Sequence, residues 1–313
     1  MASTAIGKVF KWIGLALGAV VVIIIAVTVT FYARTSRIVN KKYATAAARP
    51  LYVPTDSATV ANGRHLAISV AGCAECHGQH LEGLVVVDDP AFGRLYSPNI
   101  TRGKGGLPDG FDIVAFERAL RHGNRHDGTS LWVMPAYHFC YLGDEDVAAL
   151  WAYVSSVPPV DKEWPQRKLG PIGNMLMAQG KLVLLTAPVV DKSDPPPPKP
   201  KPDTTAAYGS YLVHVSCIGC HRQNLSGGPI FTAPPDWAPA ANITRGGALA
   251  NYTEAAFFNT LRTGKRPGGD SLNVIMPWRG IGTMSDDELR AVWNYLQSVP
   301  PAAYATAPWE EPK

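Results

Sequence analysis

The sequence predicts an all-α chain: two tandem copies of one small helical domain after a single N-terminal transmembrane helix. Three observations carry that reading. Residues 12–31, from Trp12 to Phe31, hold no charge. The pentapeptide Cys-x-x-Cys-His occurs twice, as Cys73-Ala74-Glu75-Cys76-His77 and Cys217-Ile218-Gly219-Cys220-His221. An ordered set of landmarks around the first copy then recurs 141 to 144 residues later. A length of 313 residues suits about two domains.

The first element is the apolar span, which includes Ala19-Val20-Val21-Val22-Ile23-Ile24-Ile25 and, as a helix, suffices to cross a hydrocarbon core of about 30 Å. A cleaved signal peptide has a shorter apolar region of about 7 to 15 residues, so the span reads as an uncleaved anchor. The small-residue stretch Ala44-Thr45-Ala46-Ala47-Ala48 keeps cleavage open as the alternative. Lys8 and Lys11 precede the span while Arg34, Arg37, Lys41 and Lys42 follow it, and that count alone would put the rest of the chain in the cytoplasm.

The elements of the repeat come next. A helix leads into each Cys motif, over 58–70 and 205–215. A second runs over 112–121 and 253–262 and ends at Gly123 and Gly264. The third is opened in the second copy by the capping box Ser285-Asp286-Asp287-Glu288 and carries the stripe Leu289, Val292, Trp293 and Leu296; Val147, Leu150, Trp151 and Val154 match it in the first copy. Pro158-Pro159 and Pro300-Pro301 stop the two helices, and the Trp stripe reads as core. Other paired landmarks are Leu81-Glu82-Gly83 with Leu225-Ser226-Gly227, Asn99-Ile100-Thr101-Arg102-Gly103 with Asn242-Ile243-Thr244-Arg245-Gly246, and Met134-Pro135 with Met276-Pro277. No strand is expected. Between the copies, the apolar run Met175 to Leu185 is expected to pack along the domains, and Asp194-Pro195-Pro196-Pro197-Pro198-Lys199-Pro200 reads as a semi-rigid spacer. The expected boundaries are an anchor and basic juxtamembrane segment at 1–50, domain 1 at 51–160, a Pro-rich linker at 161–204, domain 2 at 205–304 and a tail at 305–313. Each domain is expected to fold independently.

The pentapeptide carries the chemistry. Two thiols three positions apart can each bond one vinyl group of the same porphyrin, and the following His reaches the iron as proximal ligand. Cys73, Cys76, Cys217 and Cys220 are therefore candidates for covalent attachment of two haem c groups, with His77 and His221 as proximal ligands. A four-cysteine zinc site is the competing reading, but zinc ribbons place their Cys pairs roughly 15 to 20 residues apart, whereas Cys76 and Cys217 are 141 positions apart. Cys140 is left over and reads as a small buried hydrophobe.

A haem serving pure electron transfer needs a sixth ligand, and a Met thioether both closes the site and raises the potential. Met134 and Met276 lie 57 and 55 residues past His77 and His221 in matching register. His80, His122, His126 and His138 compete in the first copy, but none has a His counterpart in the second, so they read as surface or loop residues. Met284 aligns with Leu142. Arg102 and Arg245, with Arg121 and Arg262, stand where their planar forks could meet haem propionates. Tyr137 and Trp278 are expected against the haem face or edge.

Charge is segregated. Residues 1–50 carry seven Lys and Arg against no acid, and residues 51–160 seven against twelve, so the basic balance belongs to the anchor and gives no support to nucleic-acid binding. The acidic first domain suits either a basic redox partner or simple solvation.

On the haem motifs, Met-Pro and the final Trp-x-Tyr helix ending in Pro-Pro, the chain resembles class I cytochrome c, in particular anchored dihaem cytochromes c of bacterial respiratory chains. The resemblance covers nearly all of 51–160 and 205–304. It implies that haem is attached after export, so that the haem domains face the periplasm or another extracytoplasmic side despite the charge count. It also implies an electron carrier rather than an enzyme, moving electrons from a quinol-oxidising complex or dehydrogenase to a soluble carrier or terminal oxidase, with no small-molecule substrate. The same kind of domain serves as the cytochrome subunit of alcohol and sugar-acid dehydrogenases. A dihaem peroxidase or thiosulfate-oxidising cytochrome is the alternative from the enzyme class, and would need Cys140 or a loop His in place of Met134.

Overall fold

The computed structural model describes residues 2–44, 50–190, 198–230 and 237–306. In chain order the helices are α1 (Ala2–Val39), α2 (Ser57–His65), α3 (Cys73–His77), α4 (Ile113–His122), α5 (Ala136–Phe139), α6 (Asp144–Ser156), α7 (Pro171–Ala178), α8 (Ala206–Ser216), α9 (Ile218–His221), α10 (Glu254–Thr263), α11 (Trp278–Ile281) and α12 (Asp286–Ser298). The strands are β1 (Val85–Asp89), β2 (Gly93–Tyr96) and β3 (Lys168–Leu169). Internal packing divides the chain into two units, one of Met1–Lys41, Val87–Leu95 and Arg167–Val183, the other of Lys42–Val86, Tyr96–Gln166 and Leu184–Lys313.

The first unit is built on α1, whose stretch Gly7–Val39 is long and apolar enough to cross a membrane and whose most apolar window is exposed. Near its C-terminal end Thr35 is buried, and its Oγ1 donates to the Asn174 carbonyl at 3.0 Å, tying α1 to α7. Pro171 opens α7 at a position where its missing N–H costs nothing. The strands form a sheet of order β1-β2-β3, with Gly93 opposite Leu169 and Arg94 opposite Lys168 in the antiparallel pair β2/β3. This corrects the expectation of a strand-free chain. Val85, Val86 and Val87 are β-branched and suit a pleated surface, and Asp89 Oδ1 accepts from the amides of Ala91 and Phe92 to turn the hairpin. The segment expected to pack wholly along the haem domains divides instead: α7 packs on α1, while Leu184 and Leu185 pair with Val133 and Trp132 in the second unit. The spacer residues Asp194 to Pro197 lie outside the described residues.

The second unit repeats one frame twice. In the first half α2 crosses α6, and in the second α8 crosses α12. Both crossings are close enough that a Cβ added to Gly63 would stand 1.9 Å from the Ala149 oxygen, and one added to Gly209 1.9 Å from the Ala291 oxygen. Caps fall where the residue types ask for them. Asp112 and Thr253 accept from the amides of Ala115 and Ala256 at the starts of α4 and α10, Gly123 and Gly264 end those helices in the left-handed conformation, and the Ser285/Glu288 capping box forms. Where a plain helix over 58–70 is expected, α2 stops at His65 and a π-helical turn, Leu66–Val70, continues to the motif.

One buried core runs through both halves, joining Leu66, Val70, Leu120, Leu142 and Leu150 to Leu212, Val213, Met284, Leu289 and Leu296. Each half thus supplies part of the apolar surface that covers the other.

Candidate functional site

The loop after each motif is folded in the same way. In the first half Gly83 N–H donates back to the His77 carbonyl at 2.7 Å and Ile100 N–H to the Leu81 carbonyl at 2.9 Å; in the second, Gly227 donates to His221 at 3.1 Å and Ile243 to Leu225 at 3.0 Å. Leu81 and Leu225 both hold positive φ, 61° and 60°, a strained geometry for a branched side chain that recurs at the same register. This folding brings a backbone carbonyl over each candidate proximal His. His77 Nδ1 lies 2.9 Å from the Pro98 oxygen and His221 Nδ1 2.7 Å from the Ala241 oxygen. With Nδ1–H donating to the carbonyl, Nε2 is left as the lone-pair donor, which is the tautomer a metal-binding imidazole needs. Burial lowers the pKa of both imidazoles, so they stay neutral and available as ligands.

A clamp holds those carbonyls in place. Asn99 Oδ1 accepts from the Thr101 amide at 2.9 Å and hydroxyl at 2.8 Å, and its Nδ2 donates to the Val160 carbonyl at 2.7 Å. Asn242 does the same with Thr244, at 2.9 and 2.7 Å, and with Ala302 at 2.7 Å. The Asn-Ile-Thr segment thus ties the loop under each His to the chain just past the double Pro.

In the second half Cys217, Cys220, His221 and Met276 all line one cavity of about 450 Å³. Its walls are mostly apolar, including Ile243, Leu249, Phe257, Leu261, Ile281 and Val292, with Arg266 and Ser271 among the polar exceptions. Thr260, also in the wall, has a buried hydroxyl with no protein partner. A mostly apolar cavity with two thiols and an imidazole, plus a thioether, fits a flat apolar macrocycle bearing an iron and two carboxylates. The residues present fit haem c. In the first half Cys73 and Met134 pack against the shared core as Cys217 and Met276 do, and His77 has its counterpart's orientation. Val133, just before Met134, has φ 66° and donates its N–H to the Leu184 carbonyl, a constraint without a counterpart at Ile275. Burial pushes the Cys73 and Cys217 thiols up to about 12, so both are neutral thiols before attachment.

The arginines separate. Arg121 is buried, its fork donating to the Leu142 carbonyl at 3.1 and 2.6 Å and pairing with Glu117 and Asp144 at 3.3 and 2.8 Å. Arg262 bonds the Gly282 carbonyl and pairs with Asp286 at 2.7 Å. Both therefore pin the start of the following helix. Arg102 donates to the carbonyls of Pro108 and Phe111 and stands over Trp151, and Arg245 is exposed. The guanidinium that lines the cavity is Arg266, whose first-half counterpart is Arg125. Each lies within a small bridged turn, closed by Asn124 with Ser130 and by Lys265 with Ser271. The sequence carried the signal for this pair in its Gly-x-Arg register, unused in the reading of the arginines.

Among the competing histidines, His80 and His126 are exposed and His122 lies near Glu117. His138, expected at the surface, is buried instead, and burial lowers its pKa to about 4. Tyr137 does not simply face its own site: burial, and then the nearby Cys220 thiol of the second half, raise the pKa of its hydroxyl. Trp278 packs over Gly264. Cys140 is half-buried, with its Sγ 3.4 Å from the Tyr137 carbonyl.

Comparison with known proteins agrees with this chemistry. Residues 206–300 match the family model of cytochrome c. The chain is 32% identical over 267 residues to the fructose dehydrogenase cytochrome subunit of Gluconobacter japonicus, covering 78% of this chain and 53% of that protein. It is 30% identical over 281 residues to the cytochrome c subunit of alcohol dehydrogenase (quinone) of Gluconacetobacter polyoxogenes, covering 79% and 57%. It is also 25% identical over 256 residues to a diheme cytochrome c-type protein of Cereibacter sphaeroides, covering 73% and 82%. The chain spans about half the length of the two dehydrogenase subunits. Residues 206–300 are thus a cytochrome c domain, a fold that holds haem c covalently, and the chain is a relative of cytochrome subunits of dehydrogenases.

Proposed function

We propose that the chain is a membrane-anchored dihaem c-type cytochrome of a bacterial respiratory or related electron-transport chain, with two tandem cytochrome c domains on the periplasmic or extracytoplasmic side. The observation that carries this is the duplicated frame: each Cys-x-x-Cys-His has its imidazole oriented by a clamped carbonyl at the same register. Cys73 and Cys76, and Cys217 and Cys220, would hold the porphyrins; His77 with Met134, and His221 with Met276, would bind the irons. When bound, each haem supplies a one-electron iron couple. The apolar wall of Phe257, Leu261 and Val292 excludes water, and the two thioethers leave no open position for a substrate, which favours an electron carrier over a peroxidase or a thiosulfate-oxidising enzyme. Arg266, which lines the cavity and pairs with Asp270, and its counterpart Arg125 join the candidate propionate partners, while Arg121 and Arg262 pin helix starts through protein acceptors.

The relatives named as dehydrogenase subunits favour a dehydrogenase as electron donor, with a soluble carrier or a terminal oxidase downstream, and they favour membership of a larger complex over a free relay. α1 anchors the whole. Haem quantitation with paramagnetic resonance tests the reading: two haems, both low-spin with His/Met ligation, support it, while one haem or a high-spin site overturns it.

A further inference from the structure

The two halves of the second unit meet at a pair of crossings, and the crossings differ in one respect that bears on electron movement. In the first, α5 follows Met134-Pro135 and sets His138 against the second motif. A Cβ placed on Gly219, between Cys217 and Cys220, would lie 1.6 Å from His138 Nε2 and 1.7 Å from its Cε1. The imidazole therefore occupies the notch that the missing side chain leaves. It is held there at its other nitrogen by the Val215 carbonyl, while Nε2 is buried with no protein partner. Tyr137 stands edge-on to it, with ring centroids 4.5 Å apart.

The reciprocal crossing brings α11, after Met276-Pro277, to the first motif. At His138's register stands Gly280, and at Gly219's stands Glu75. A Cβ on Gly280 would meet the Ile68 oxygen at 2.7 Å and Glu75 Oε1 at 3.3 Å. No ring bridges there. The duplication thus carries an aromatic wedge at one crossing only, running from the candidate axial Met loop of the first half to the attachment motif of the second.

We propose that the His138–Gly219 contact is the through-protein route by which electrons pass between the two sites, from the Met134 loop through the imidazole to the Gly219-Cys220 backbone. The proposal rests on the two-haem reading above. Each passage moves one electron: the donor iron goes from ferrous to ferric and the acceptor from ferric to ferrous, with no bond made or broken and no proton transferred. Tight van der Waals contact matters because electronic coupling decays far more steeply across a gap than through bonded or touching atoms. Gly219 is what permits that contact.

The test uses the full haem-loaded chain. Haem content by mass and the two midpoint potentials are measured first, and a wild type with one haem removes the reading beneath the proposal, an outcome distinct from failure of the route. Re-equilibration between the haems is then followed after flash reduction by a flavin semiquinone. His138→Ala should slow re-equilibration several-fold with both haems and both potentials retained, and His138→Phe, which restores a planar ring, should recover most of the rate. His65→Gln, at an inter-half contact away from the route, should leave the rate unchanged. An unchanged rate in His138→Ala overturns the proposal, as does an equal slowing in His65→Gln, since general loosening would then explain both. Should His138→Ala fail to retain both haems, His138→Gln takes its place with the same two outcomes.

Discussion

The two halves of the second unit hold the same frame with different fillings. In both, Asn and Thr clamp the loop whose carbonyl orients the motif His, and a Gly lets the leading helix press on the closing helix. They differ at the start of that closing helix. The second half uses the Ser285/Glu288 capping box, and Glu288 also takes His65 of the first half at 2.9 Å. The first half has Gly143 with no side-chain cap, and its equivalent acid, Asp146, is fully buried between Lys199 at 2.6 Å and the Tyr211 hydroxyl of the second half. His65 and Tyr211 stand at equivalent registers, so these two contacts are reciprocal between the halves. The lesson is that the frame around each motif recurs, while the residues joining the copies have diverged into distinct pairs.

Breaking the sites should have the largest effect. His77→Ala and His221→Ala should each abolish one low-spin signal and leave the other, as read by paramagnetic resonance of the full chain; loss of both from either change would mean that the sites are not separable. Next come the arginines, which share a register but not an environment. Arg121→Met leaves buried Glu117 with His122 as its remaining partner and the Leu142 carbonyl without its donor, and should cost about 3 kcal/mol in denaturant unfolding, whereas the half-exposed Arg262→Met should cost about 1 kcal/mol. Equal losses would erase the contrast in burial.

The glycine crossings sharpen the likeness. Gly63→Ala and Gly209→Ala should each destabilise by about 1–3 kcal/mol through overpacking, and a large disparity would show that the two crossings are not equivalent. Smaller still, Asn99→Ala and Asn242→Ala should each cost about 1–2 kcal/mol for the buried bonds lost. They should also raise the midpoint potential of their own haem, because an imidazole with a loosened Nδ1 partner is a less basic ligand.

The smallest effect belongs to the His65–Glu288 pair. The Glu288 hydrogen bond raises the His65 pKa above 6.5 against the opposing effect of burial. For Glu288, burial pushes upward, but His65 and the Ser285 amide outweigh it and hold the carboxyl below 4.5. The raised His65 contributes stability that is complete below 6.5 and is lost as pH rises through its folded value. The lowered Glu288 contributes stability present above 4.5 and lost as pH falls through its own. The pair therefore works best between those limits, worth under about 1 kcal/mol because His65 is partly exposed. His65→Gln should flatten the pH dependence of unfolding in that window, and an unchanged curve would remove the pair from the account.

Much of this was legible in the chain. Caps at Asp112, Thr253 and Ser285, glycines at 123 and 264, and the Leu-Trp stripes announce their helices, since each residue type satisfies a local backbone demand. The three strands escaped notice because Val85 to Val87 form too short a run to separate from a loop before the Asp89 turn is seen. α7 was read as packing on the haem domains because its apolar face does not name the surface it covers, and the structure puts it on α1. At the site, the Cys, His and Met candidates were read from the motif and its register. His138 was misplaced for a physical reason: its burial depends on a missing side chain at Gly219, 81 positions away, which no local pattern reports. The protein acceptors of the arginines are hidden in the same way, because a register match fixes where a backbone stands and leaves the acceptor to tertiary structure.

The measurement that tests the central claim most directly is a potentiometric titration of the full chain, followed optically and by paramagnetic resonance. Two one-electron transitions, each from a low-spin iron with His and Met axial ligands, are the predicted result. A single transition, or an iron that is high-spin or bis-His in either half, would contradict the account of two equivalent electron-transfer sites.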